Sequence, residues 1–115
     1  MIDATEVVTT SDSKEVLEAI CAVLQEERLA ACMKTTGPVS STYFWREAWE
    51  ESLEYVLVAT TLPEFVPQVR RVMREKHNYE TPEIVARTVA VVDDEYAEWL
   101  LRSLHPAVGR SDASD

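Results

Sequence analysis

The chain has 115 residues, 46% of them hydrophobic, which suits one globular domain and argues against disorder. Its 21 acidic residues against 11 basic ones give a formal net charge of -10, so its surface repels phosphate backbones and nucleic-acid binding is not expected. No apolar run approaches the roughly 20 residues that a bilayer span needs, and the start "MIDATEVV" lacks the pattern of a signal peptide.

Ala4 to Ser11 is rich in β-branched residues and reads as a first strand. Ser11, Asp12 and Ser13 then offer helix N-caps, and Val16, Leu17, Ile20, Val23 and Leu24 recur at helical spacing, predicting a helix to about Glu27. Cys21 lies beside that stripe as a small buried hydrophobe. "LAAC" leads back to the core, and Gly37-Pro38 marks a break or bend.

Val39 to Trp49 reads as a long second strand with aromatics on both faces, which suggests that both faces are at least partly covered. A turn at Glu50 to Ser52 returns the chain as a third strand, Leu53 to Thr61. Thr61 is positioned to cap a second helix, with Phe65, Val66, Val69, Val72 and Met73 as its apolar stripe. Pro82 argues against continuing that helix through "HNYETPE". Ile84 to Val92 makes a fourth strand, and "DDEYAEWLLRSL" a last helix with an acidic first turn and Trp99 in the core. Residues 1–105 therefore form a single domain, and 106–115, small and polar, read as a disordered tail.

The order β-α-β-β-α-β with an added helix is the α+β, ferredoxin-like arrangement, an antiparallel sheet with two helices on one face. No remaining segment is large enough to cover the other face. Tyr43, Phe44, Trp45, Trp49 and Tyr55 on an overlong hairpin point to another subunit as the cover, so an oligomer is expected.

The segments "EERLAAC" (26–32), "SSTYFW" (40–45), "HNYETPEI" (77–84) and "YAEWL" (96–100) stand in the order and spacing of the CutA family, the divalent-cation tolerance proteins. The chain resembles that family from about Val7 to Leu104. The resemblance implies a tight, PII-like homotrimer, and a role in tolerance of divalent metals, copper above all. Some features depart from the family pattern. Trp45 is followed by Arg46-Glu47-Ala48 in place of a Gly-Lys turn, Asn78 replaces a proline, Gly37-Pro38 replaces Pro-Gly, and Thr60 replaces a lysine. The lost lysines weaken any anion or nucleotide pocket.

His77 is the leading candidate metal ligand, since imidazole suits Cu(II), Zn(II) and Ni(II); the alternative is a histidine stabilised at a helix C-terminus. Cys32, which matches the family's cysteine, offers a thiolate to soft metals, or is simply buried and inert. Glu80 and Glu83 are candidate harder partners or loop-orienting acids, with Glu80 the one assigned to a metal site. Tyr79, Tyr43, Trp45 and Glu83 are expected to line an inter-subunit cleft. There is no nucleophile elbow, phosphate loop or HExxH. The two cysteines lack CxxC spacing, so reduced thiols in the cytoplasm are expected. Taken with these residues, the resemblance implies a cytoplasmic homotrimer, not an enzyme, that binds divalent cations with no obligatory cofactor. A PII-like sensor of an anionic ligand and a structural trimer that anchors partner proteins are the alternatives.

Overall fold

A computed structural model describes residues 1–104. The tail expected to be disordered lies outside these residues. The elements run β1 (Ile2–Ser11), α1 (Lys14–Glu26), β2 (Cys32–Trp45), β3 (Ala48–Thr61), a short 3-10 turn (Pro63–Phe65), α2 (Val66–Lys76), β4 (Ile84–Val91) and α3 (Asp94–Ser103). The sheet order is β2-β3-β1-β4 and every pairing is antiparallel, which is the ferredoxin-like topology predicted.

The helices dock by their apolar stripes. Leu17, Ile20 and Leu24 of α1 and Val69, Val72 and Met73 of α2 meet Val7, Leu57 and Ala59 of the sheet in one buried cluster. Ser13 caps α1, its hydroxyl accepting the Val16 N–H at 3.2 Å. Thr61 does not cap α2: its hydroxyl donates to the Leu29 carbonyl at 2.6 Å, and the 3-10 turn intervenes.

Three further expectations are corrected. The second strand starts at Cys32, not Val39, because the chain passes Gly37-Pro38 through a bulge between Thr36 and Val39 instead of breaking. Gly37 has φ +134, and a Cβ there would meet the Glu54 carbonyl oxygen at 2.9 Å, so the crossing needs glycine. The hairpin turns at Arg46-Glu47, not at Glu50–Ser52, with Trp45 paired to Ala48. Both turn residues are left-handed, φ 52 and 69, as a two-residue hairpin requires. Lacking Asn or Gly, the turn carries no signal in the sequence.

The third correction concerns the opposite sheet face. By alternation Ala4 points away from Val7, and α3 packs there: Ala97, Leu100 and Leu104 bury Ala4, Leu62 and Val91. The chain thus covers one end of that face itself. Trp99 is not core; it is 39% exposed and tilts against Tyr96 with ring centroids 5.3 Å apart. Val85 is exposed, and the hairpin aromatics Phe44 and Trp49 pack on each other, 5.4 Å between centroids, with Trp49 71% exposed.

Candidate functional site

Residues 77–83 link α2 to β4 and fold back onto the end of β1. α2 ends as His77 turns extended, at φ -70 and ψ 148. The His77 Nε2–H donates to the Thr10 carbonyl at 2.9 Å, with Thr9 Oγ1 at 3.1 Å, and Nδ1 accepts the Tyr79 N–H at 3.1 Å. These partners assign the neutral Nε2–H tautomer. Burial lowers the imidazole pKa below its ordinary value; the Thr10 hydrogen bond and the carboxylates of Glu54 and Asp12 oppose this more weakly. Asn78 adds a second tie, accepting from the Ser11 hydroxyl at 2.7 Å and donating to Asp12 Oδ1 at 2.9 Å.

Tyr79 is the third tie. Its hydroxyl donates to Glu54 Oε2 at 2.6 Å and accepts the Asp12 N–H at 2.8 Å. Burial and the Glu54 carboxylate hold the phenol well above its usual pKa, so it stays a donor at any physiological pH. Glu54 itself is only 6% exposed although it projects from a strand.

Between this loop and the hairpin lies a cleft of about 760 Å³. Tyr43, Trp45 and Tyr79 supply aromatic wall, and Glu54, Glu80 and Glu83 supply carboxylates. At its rim the Arg46 guanidinium lies 5.2 Å over the Trp45 ring and pairs with Glu80 Oε1 at 3.1 Å. Both partners of that pair are largely exposed, so it adds little stability.

The structure therefore brings Tyr43, Trp45, Tyr79, Glu80 and Glu83 to one cleft within a single chain. It does not assemble His77, Cys32 and Glu80 as a ligand set: among the described residues no three His, Cys, Asp or Glu side chains gather to hold a metal. Cys32 pairs with Thr60, in the row of Glu6, whereas His77 binds the chain at Thr10, four residues further along β1, or roughly 13 Å away. Both His77 nitrogens are already engaged, so ligation at this residue would break the contacts that hold the loop. Glu54, Asp12 and Arg46 are the site residues that the sequence did not single out. Glu54's only mark was a charge interrupting the apolar strand "LEYVLV".

The described residues contain no helix long and apolar enough to cross a membrane. Residues 5–103 match the family model described as CutA1 divalent ion tolerance protein. The divalent-cation tolerance protein CutA of Thermus thermophilus is 36% identical over 94 residues, covering 82% of this chain and 91% of that relative. The solved Thermus thermophilus structure superimposes with a TM-score of 0.83 at 34% identity, covering 88% of this chain and 98% of that one. CutA from Xylella fastidiosa gives a TM-score of 0.84 at 30% identity, covering 90% of this chain and 99% of the other. With the match running through the strands, the hairpin and the loop of the cleft alike, the chain belongs to the CutA1 divalent ion tolerance family.

Proposed function

We propose that the chain forms a cytoplasmic homotrimer that binds divalent metal ions, copper above all, and so serves cation tolerance as a binding protein and not as an enzyme. The observation that carries this reading is the cleft lined by Glu54 of β3 and by Glu80 and Glu83 of the loop after α2, oxygen donors that do not converge within one chain but lie beside an incompletely covered sheet. Carboxylates are hard donors for divalent ions, and Cu(II) leads the first-row series at most N and O sites. One chain supplies too few converging ligands, so residues of a neighbouring subunit complete the shell. The exposed hairpin aromatics and Val85 supply apolar surface for that neighbour. Two free cysteines agree with a reducing compartment. Among the described residues no lysine or arginine lines the cleft, which disfavours an anionic ligand. In this reading His77 positions the loop and Glu80 and Glu83 meet the metal.

Calorimetric titration with Cu(II) tests the proposal. Saturable binding, lost in a Glu80→Gln/Glu83→Gln double variant, is expected. Equal binding by the two proteins would contradict it.

A further inference from the structure

The cleft also has features that a hydrated metal ion does not need. Glu54 is nine-tenths buried, yet none of the ion pairs among the described residues involves it. Its Oε2 takes the Tyr79 hydroxyl, while Oε1 has no hydrogen-bond partner among the described residues. A carboxylate held in that state favours a cation that also donates hydrogen bonds. The wall beside it is aromatic, with Tyr43 and Trp45 on the hairpin and Tyr79 on the loop. A strongly hydrated divalent ion gains little from aromatic faces, whereas a weakly hydrated guanidinium or alkylammonium group gains from both face and acid.

The rim already shows this pairing. Arg46 sets its own guanidinium over Trp45 and against Glu80, an organic cation held by one ring and one carboxylate. Glu54, Tyr43 and Tyr79 line the same cleft, and among the described residues no cationic side chain pairs with Glu54 there. The cleft, at about 760 Å³, is the size of a small-molecule pocket.

We propose that this cleft binds a small organic cation of the guanidinium or alkylammonium class, its charged head on Glu54 and its body against Tyr43 and Trp45. The inference goes beyond the divalent-ion reading and does not rest on it.

The test is a calorimetric titration of the full chain with N-butylguanidinium, in EDTA and at near-physiological ionic strength to suppress diffuse attraction to the acidic surface. N-butylurea, of the same shape but uncharged, is the control. Saturable binding near one per chain is expected, with none for butylurea. Glu54→Gln, whose amide oxygen still accepts from Tyr79, and Trp45→Leu should each bind about tenfold more weakly. Trp45 lies on the hairpin away from the core, so that variant decides the matter if Glu54→Gln fails to fold. No saturable binding, equal binding of butylurea, or unchanged affinity in a folded variant would overturn the proposal.

Discussion

Tyr79 and Glu54 meet through a 2.6 Å hydrogen bond that joins the loop after α2 to the third strand, 25 residues earlier in the chain. The same phenol accepts the Asp12 N–H, so one side chain fastens the loop to β3 and to the start of α1 together. The cleft has its shape because of this joint. A strand carboxylate that would otherwise be buried without a donor becomes one wall, and the loop carrying Glu80 and Glu83 becomes the other.

Tyr79→Phe keeps the ring and deletes both hydrogen bonds. Glu54 then loses its donor, and the Asp12 amide its acceptor, at a cost of about 1–2 kcal/mol. Urea denaturation should show a lower midpoint with an unchanged slope. An unaltered midpoint would show that the joint contributes nothing.

Acid should loosen the same region through His77. Its folded pKa lies below the ordinary value of 6.5 because burial disfavours the imidazolium. The unfolded chain therefore binds more protons between the two values, and stability rises with pH across that window. The contribution is complete above 6.5 and is lost as pH falls from there through the folded pKa. Melting temperature measured across this range should fall on acidification, and His77→Gln should flatten that slope. An equal slope in the variant would assign the acid sensitivity elsewhere.

Cys21 is held by burial above the ordinary thiol pKa, an effect that its hydrogen bond to Thr35 only partly offsets. Its thiolate population is correspondingly small, and thiolate is the reactive form. Iodoacetamide near neutral pH should modify Cys21 slowly in the folded protein and readily in denaturant, as read by peptide mass mapping. Comparable rates in both conditions would contradict this.

The hairpin turn stores removable strain. Glu47 sits at φ 69, where a side chain is disfavoured by about 1–2 kcal/mol, and it makes no ion pair among the described residues. Glu47→Gly should raise stability by about 0.5–1 kcal/mol after the added freedom of the unfolded chain is counted. A lower melting temperature would mean that the turn is held by Glu47 itself.

The element order and the two-helix core were legible because Leu17, Ile20, Leu24, Val69, Val72 and Met73 repeat at helical spacing, and these are the residues that are buried. The turn at Arg46-Glu47 was not, since its left-handed pair lacks the Asn or Gly that announces such turns. Trp99 was misread because an amphipathic helix shows its stripe but not which edge of the stripe meets the sheet. Within the site, Tyr43, Trp45, Tyr79 and Glu83, expected at an inter-subunit cleft, and Glu80, expected as a metal ligand, line one cleft of a single chain. The part played by Glu54 and the full engagement of His77 depend on contacts 25 and 67 residues away in sequence, which no local pattern encodes.

Native mass spectrometry of the full chain with and without Cu(II) tests the central claim most directly, because it reads assembly and metal content in one spectrum. The account predicts a species three times the mass of the 13.0 kDa chain, with copper retained on that species and absent from the Glu80→Gln/Glu83→Gln variant. A monomer, or a trimer that carries the same copper in both proteins, would contradict it.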